Sequence, residues 1–340
     1  MTALSRAATC RGPKAASCRR TPNQVTSSQM HLFRLYPTLH LLPFLPNPAG
    51  NAIIPAVKER GDAMIKHILF GVDGSAHGDV AREYAMDFAL RLNAQLEAVH
   101  VVDSRMLDFP LIAPQTGLIP WNPGVLSGLQ DGLRTRGETL LKEAAERAAD
   151  AGIALTTSLE FGHPAQVFGD IQARTELVVL GRQGEHAGAE FTGSTMERFI
   201  RRARRPCLVT PAEFQPVRKI LVGTDGSSAA GRALHEAVEL ANGLQVPLVI
   251  LAVAERESDL PLAQKNALEA HSLARAHECA AASITAVGAP AICLLDKAAE
   301  TDCNLIALGS HGHGWIYDRL IGSTAAHVAS RAPVPVLLVH

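Results

Sequence analysis

Two short stretches set a carboxylate, a glycine and a hydroxyl side by side: Asp73-Gly74-Ser75 and Asp225-Gly226-Ser227, 152 residues apart (225 minus 73). Each follows an apolar run, Lys66-His-Ile-Leu-Phe-Gly-Val72 in the first case and Arg218-Lys-Ile-Leu-Val-Gly-Thr224 in the second. Farther on, Gly309-Ser-His-Gly312 follows Leu305-Ile-Ala-Leu308, and Gly322-Ser323 precedes a helical pattern, Thr324 to Arg331, that stops before Pro333. Glycine lacks a β-carbon, so Gly309 and Gly312 admit positive φ and let main-chain amides approach a bulky anion. A helix start at Gly322-Ser323 adds unpaired N–H groups, a favourable dipole and a hydroxyl donor. That chemistry suits a polyphosphate. No GxxxxGK[ST] loop occurs and no GxGxxG follows either first strand, so neither a Walker site nor a dinucleotide site has support. No nucleophile, base and orienting group stand out together, so catalysis is not implied.

The elements that must position these residues come in two copies. Gly162-His-Pro-Ala165 answers Gly288-Ala-Pro-Ala291, and Leu177-Val-Val-Leu-Gly181 answers Leu305-Ile-Ala-Leu-Gly309 at an offset of 128 (309 minus 181). Within each copy short apolar runs alternate with longer amphipathic stretches, the pattern of βαβ units and a mainly parallel sheet. Strands are expected at Ile68 to Val72, Leu96 to Val102, Leu155 to Leu159, Leu177 to Leu180 and Cys207 to Thr210. In the second copy they fall at Ile220 to Val222, Leu248 to Val253, Ala282 to Thr285, Leu305 to Leu308 and Val336 to Val339. Ala81, Tyr84, Ala85, Phe88 and Leu92 lie three and four apart, giving the first helix one face for the sheet. In an open parallel sheet ligands bind beyond the carboxyl ends of the strands, where the Asp-Gly-Ser and glycine loops both lie.

The chain has 340 residues and 47% apolar content, enough for two domains with two packed cores, and excludes a wholly disordered chain. Its net charge of -1 gives no global attraction to nucleic acid or to an anionic membrane. Residues 1–63 carry eight basic and two acidic residues, +6, which leaves -7 for the rest. They are expected to be a disordered extension or a misassigned start, with Met64 the natural one; a transit peptide is the rival reading. Domains are expected at 64–212 and 217–340. Six cysteines without a CxxC pair fit a reducing compartment and a cytoplasmic protein, and show no zinc or disulfide framework. No run of eighteen apolar residues predicts a spanning helix.

With these residues in view the chain resembles the universal stress protein family. The pattern Gly309-x2-Gly312-x9-Gly322-Ser323, the Asp-Gly-Ser openings, the Gly-x-Pro-Ala turns and the closing Pro333-Val-Pro-Val-Leu-Leu-Val339 carry the resemblance, which covers residues 64–340 as two tandem domains. It implies two Rossmann-like α/β domains, each a five-stranded parallel sheet of order 3-2-1-4-5 flanked by helices, with ATP, with or without Mg, between the ends of strands one and four. Carried over by position, Asp225 would contact the nucleoside, Val253 would offer its backbone to adenine, and Gly309, His311 and Gly312 would surround the phosphates. Gly322, Ser323 and Thr324 would hold the phosphate tail. The first copy offers Asp73, Val101, Gly181, Gly184, Gly193, Ser194 and Thr195, but eight residues separate Gly184 from Gly193 where the family pattern has nine. Arg182 and Gln183 replace Ser310 and His311 there, so Arg182 is expected to compensate by pairing with phosphate.

The function this implies is an ATP-binding regulatory protein of the stress response, nucleotide occupancy controlling interaction with a protein partner. A slow ATP hydrolase or ATP-dependent enzyme and a nucleotide-free adaptor are the alternatives. The edge strands at Cys207 to Thr210 and Val334 to Val339 resemble those through which family members pair, so the copies are expected to form a pseudo-dimer within one chain, with a homodimer as the further assembly. Arg198, Arg201, Arg202, Arg204 and Arg205 form a basic cluster without interleaved aromatics, read as cations at a helix end rather than a nucleic-acid site. His311 and His313 do not complete a metal set. Cys279, Cys293 and Cys303 are expected as small buried thiols in the second copy's helical region. The extra apolar segment Ser104 to Gly137 needs burial on its own domain, as a lid over the first site or against a partner.

Overall fold

A computed structural model describes residues 65–106, 112–113, 117–118, 123–184, 195–311 and 321–340. Contacts divide the chain into two units, Met1–Glu59 and Arg60–His340. The expected extension over 1–63 and most of the apolar positions in the Ser104 to Gly137 segment lie outside the described residues. The second unit holds both repeats.

In the first repeat the elements are β1 (His67–Gly71), α1 (Ala76–Leu92), β2 (Gln95–Asp103), a short antiparallel pair β3 (Ile112–Ala113) and β4 (Gly117–Leu118), α2 (Pro123–Asp150), β5 (Leu155–Gly162), α3 (Pro164–Ile171), β6 (Leu177–Gly181), α4 (Thr195–Ile200) and β7 (Cys207–Thr210). The second repeat has β8 (Ile220–Thr224), α5 (Ser228–Leu244), β9 (Leu248–Ala254), α6 (Leu260–Ala276), β10 (Ala281–Val287), α7 (Pro290–Glu300), β11 (Leu305–Gly309), α8 (Ser323–Arg331) and β12 (Val336–Val339). One ten-stranded sheet runs β10-β9-β8-β11-β12-β7-β6-β1-β2-β5. Within each half the strands lie third, second, first, fourth, fifth, all parallel. The halves meet through an antiparallel pairing of β12 with β7, in which Leu337 stands opposite Leu208.

Strands covered by helices on both faces must be apolar on both, which is why β6, β7, β9, β11 and β12 read as unbroken apolar runs, whereas the edge strands β5 and β10 carry serine and threonine. Alternate residues then feed opposite layers: Ile68 and Phe70 join Tyr84 and Phe88 on one face, while Leu69 joins Phe168 and Phe199 on the other. All five apolar positions expected on the first helix are buried. Each face carries one core that runs through both repeats, where composition suggested one core per domain. The β7–β12 ladder makes the sheet continuous, so helices on one side share a layer across the boundary. Gly243 in α5 permits this, since a β-carbon there would stand 2.6 Å from Leu92 Cδ2 of α1.

Polar groups secure the same boundary. Arg91 donates from Nη1 to the Val217 carbonyl at 2.9 Å and from Nη2 to the Leu244 carbonyl at 2.8 Å, and pairs with the buried Asp87 at 3.3 Å. Burial pushes the Asp87 carboxyl up, and Arg91 opposes that rise. The Tyr84 hydroxyl accepts from the Gln215 amide at 3.1 Å, with the Tyr84 and Phe214 rings edge to face at 4.8 Å.

The cysteines depart in part from expectation. Cys293 lies in α7, but Cys279 and Cys303 occupy the turns after α6 and α7, behind left-handed residues Glu278 (φ 55) and Asp302 (φ 54). Their amides close the helix ends on Ala274 and Ala298 carbonyls at 3.0 and 2.8 Å, and their small side chains are buried beside the cap. Burial raises both thiols' pKa, which keeps them protonated and unreactive.

Candidate functional site

The Asp-Gly-Ser loops turn the chain from the first strand of each repeat into its first helix. Gly74 and Gly226 take φ of 79 and 80, a conformation that suits glycine. Asp73 Oδ1 accepts from the Ser75 amide at 2.9 Å and the Ser75 hydroxyl at 2.7 Å, and Ser75 Oγ in turn accepts from the Gly78 amide at 2.9 Å. In the second repeat the Ser227 amide donates to Asp225 Oδ1 at 2.8 Å and the Ala230 amide to Ser227 Oγ at 3.2 Å. The carboxylate thus folds its own loop with one oxygen, and the serine caps the helix. In the first repeat the other oxygen, Asp73 Oδ2, lies 3.0 Å from where a β-carbon on Gly184 would stand, so the loops after β1 and β6 touch. Asn266, which has no motif to announce it, donates to the Asp225 carbonyl at 2.9 Å from α6.

Gly181 and Gly309 end the fourth strand of each repeat, and they carry a packing role that the sequence did not announce. Gly309 has no positive φ; a β-carbon there would fall 2.8 Å from Ala229 C and 3.0 Å from Ala229 O, in the first turn of α5. Gly181 is held in the same way, 2.7 Å from both C and O of His77 in α1. These glycines let the strand end approach a helix backbone. They are packing positions whether or not their amides also meet phosphate.

The residues beyond Gly309 form a tight link in the second repeat. The Ser310 amide donates to the Val339 carbonyl at 2.7 Å, Ser310 Oγ and His311 Nδ1 share a hydrogen bond at 2.8 Å, and the Gly322 amide donates to the Ser310 carbonyl at 2.7 Å. The rings of His311 and His340 stand edge to face at 6.3 Å. Burial, with His311 and Arg232 nearby, pulls the His340 imidazole down to about 4, so it is neutral at physiological pH. Gly322 is the N-cap of α8 in extended conformation, φ -62 and ψ 146, without a side-chain cap, in contrast to the serine-capped α1 and α5. Ser323 and Thr324 open the helix, the first exposed and the second half-buried. The start of α8 is therefore a run of amides beside two hydroxyls, as an anion site requires.

The sheet sets β9, β8 and β11 side by side, which brings Val253, Asp225 and Gly309 to one edge with His311, Gly322, Ser323 and Thr324. The ladder between β8 and β9 ends at Thr224 and Ala252, so Val253 lies one residue beyond it while still pairing with Ala286 of β10. Val101 stands likewise beyond the last β1–β2 pair, Gly71 with Val99, and pairs with Glu160. Asp73, Gly181, Gly184 and Thr195 share the corresponding edge of the first repeat, whereas Gly193, Ser194 and Gly312 lie outside the described residues. Among the described residues there is no cluster of three or more His, Cys, Asp or Glu able to hold a metal. No helix there is long and apolar enough to cross a membrane.

Arg182 corrects an expectation. Its guanidinium reaches across the repeat boundary and donates to the carbonyls of Ser330, at 3.3 Å, and Ala332, at the carboxyl end of α8. A cation satisfies the terminal carbonyls of a helix and its dipole, so this arginine clasps the repeats instead of meeting phosphate. Arg182→Ala is expected to cost about 1–2 kcal/mol of stability and to shift ATP affinity by no more than about fivefold, the size of an indirect coupling through α8 and smaller than the loss of a phosphate contact. Urea unfolding with parallel ATP titration checks both, and a tenfold loss of affinity at unchanged stability would reverse the assignment.

Comparison with known proteins follows the same division. The family model for the universal stress protein family matches residues 64–211 and again 216–340. Universal stress protein Slr1230 of Synechocystis is 27% identical over 285 residues, covering 80% of this chain and 99% of that protein. Universal stress protein Rv2005c of Mycobacterium tuberculosis is 28% identical over 294 residues, covering 80% and 96%. Among solved structures, a universal stress protein from Archaeoglobus fulgidus matches in fold with a TM-score of 0.62 at 20% identity, over 80% of this chain and 95% of that one. Repeated sequence, doubled α/β architecture and family match agree: the chain belongs to the universal stress protein family, as a member with two tandem domains.

Proposed function

We propose that the protein is an ATP-binding regulator of the stress response whose principal site lies at the carboxyl edge of the second repeat. The observation that supports this most is the start of α8, where Gly322 leaves the helix without a side-chain cap beside the Ser310–His311 link. A triphosphate fits such donors, because the first-turn amides of a helix are unpaired and the Ser323 and Thr324 hydroxyls lie in the same turn. Asp225, in the turn from β8 into α5, sets a carboxylate at this edge for a ribose hydroxyl, and Val253 offers backbone beyond the end of the ladder. The first repeat is the weaker site, since Arg182 is engaged elsewhere and Asp73 packs against Gly184.

The regulatory part of the reading rests on α8 itself. Its first turn holds the phosphates while its last carbonyls are clasped by Arg182 of the first repeat. Ser310 also bonds to Val339 at the end of β12, the strand that joins the repeats. Nucleotide at one end of this helix therefore changes the load on the boundary between repeats, where a protein partner can read it. The setting is cytoplasmic.

The test uses Gly322→Asp. Aspartate is a favoured N-cap and the backbone dihedrals there already suit it; its β-carbon would stand 3.3 Å from the Ser310 carbonyl oxygen, a contact relieved by a shift of a few tenths of an ångström, so the fold should hold while the charge meets the phosphates. ATP affinity by calorimetric titration is expected to fall at least about tenfold, or ~1.4 kcal/mol, with the melting temperature retained. Unchanged affinity would remove the proposed site.

A further inference from the structure

A groove of about 1450 Å³ lies in the first repeat between α3, α4 and the loop that follows α4. Its cationic lining comprises Arg105, Arg198, Arg201, Arg202, Arg204 and Arg205, with His163 at the start of α3 and Thr195 at the start of α4. Asp103 pairs with Arg105 and Glu197 with Arg201. Among the described residues Arg198, Arg202, Arg204 and Arg205 make no ion pair, and Asp170 is the carboxylate lining the groove, so four minus one leaves an excess of +3. Arg205 also acts through space on Glu236 of the second repeat, without an ion pair. Arg198, Arg201, Arg202, Arg204 and Arg205 are all exposed.

Two observations set this cluster apart from a solvated helix end. The backbone of the loop is fixed by Gln172, only 3% exposed, whose Oε1 accepts from the Arg204 and Arg205 amides at 2.6 and 3.2 Å and whose Nε2 donates to the Gly169 and Arg202 carbonyls at 2.7 and 3.1 Å. A fully satisfied buried amide holds the arginines over the groove before any ligand arrives. The second repeat, moreover, builds the same helix and strand without them. At the offset of Gly193 and Gly322 (129), His327, Ser330, Pro333 and Val334 stand for Arg198, Arg201, Arg204 and Arg205, and only Arg202 has an arginine counterpart, Arg331. One cation thus serves the helix end, and the other four are surplus to the fold.

We infer that this groove binds a linear inorganic polyphosphate. Guanidinium groups pair bidentately with phosphate, and a run of them along a groove matches an extended chain of like charges. The volume exceeds the usual range for a compact small molecule, about 300–1,000 Å³. Among the described residues no phenyl, phenol or indole ring lines it, so the bases of a single strand would find no stacking platform there. Among the described residues its apolar lining is limited to proline and alanine, Pro164, Ala165, Ala173 and Ala203, which gives no pocket for the side-chain anchors that dominate peptide recognition. A chain of bare phosphates needs neither.

The experiment titrates the full chain with short-chain sodium polyphosphate at low and moderate salt, with oligothymidylate and polyglutamate in parallel arms. Polyphosphate is expected to bind most tightly, with affinity falling steeply as salt rises through counterion release. The triple variant Arg198→Gln, Arg204→Gln, Arg205→Gln is expected to lose at least about tenfold in polyphosphate affinity, while its circular dichroism and its ATP affinity stay unchanged. Tighter binding of oligothymidylate or polyglutamate would overturn the ligand class. Wild-type polyphosphate affinity in the triple variant, or no polyphosphate binding at low salt, would overturn the site. Because ATP is measured separately, neither result bears on the site at α8.

Discussion

Gly309→Val is expected to lower folding stability by about 3 kcal/mol, the upper part of the range for an overpacked core position. The added β-carbon would meet Ala229 C at 2.8 Å, and those atoms belong to helix backbone in the first turn of α5, which cannot rotate aside as a side chain can. Nor can the strand retreat, because Gly309 is in register with Val339 of β12 and Leu305 to Ala307 with β8. The melting temperature should fall by roughly 6–12 °C. Gly231→Ala is the control: its β-carbon meets nothing within 4 Å, so the substitution should be neutral or stabilising. Chemical denaturation of the two variants compares them directly, and a Gly309→Val protein as stable as the parent would refute the packing role. Loss of ATP binding in that variant would report the damaged strand end, which is why an aspartate at Gly322 is the cleaner probe.

Arg91→Ala is expected to cost about 3–5 kcal/mol, because it leaves the Asp87 carboxylate buried without its cation and frees two carbonyls at the repeat boundary. The pH dependence gives the effect a signature. Burial already raises the Asp87 pKa, and Arg91 is the group that holds the rise in check. A carboxyl with a raised folded-state pKa favours folding when protonated and loses that contribution as pH climbs through the folded value. Without Arg91 the rise is larger, so the variant is penalised most at neutral pH and the gap from the parent narrows in mild acid. Pairing the change with Asp87→Asn should recover part of the loss at neutral pH. A gap independent of pH, measured by urea midpoints, would mean that Asp87 is not the cause.

Much of the fold could be read along the chain because its causes are local. Most inner strands are apolar runs because both their faces are covered, and the ten expected strands match the ten of the main sheet to within a few residues at each end. The Asp-Gly-Ser turns were legible for a similar reason, since aspartate, glycine and serine act on amides two or three residues away. The helix start at Gly322 was legible too. The role of Gly309 was not, because its reason is Ala229, eighty positions earlier (309 minus 229). Arg182 read as a free cation near a phosphate loop until its partners proved to be carbonyls 148 and 150 residues on. Gln172 and Asn266 carried no signal at all, since an amide that folds a distant loop looks like any surface amide in sequence.

Sequence by itself determined the duplication, the α/β character of each copy, the local turns and the family, all of which depend on residues near one another in the chain or on their repetition. The family resemblance led to the expectation that these edge strands pair the copies; tertiary structure alone decided the antiparallel register of β12 on β7, that each face shares a single core, and that Arg91 and Arg182 tie the repeats. The physical reason is that edge-strand pairing and hydrogen bonds to distant carbonyls are made by backbone groups, which every residue carries alike.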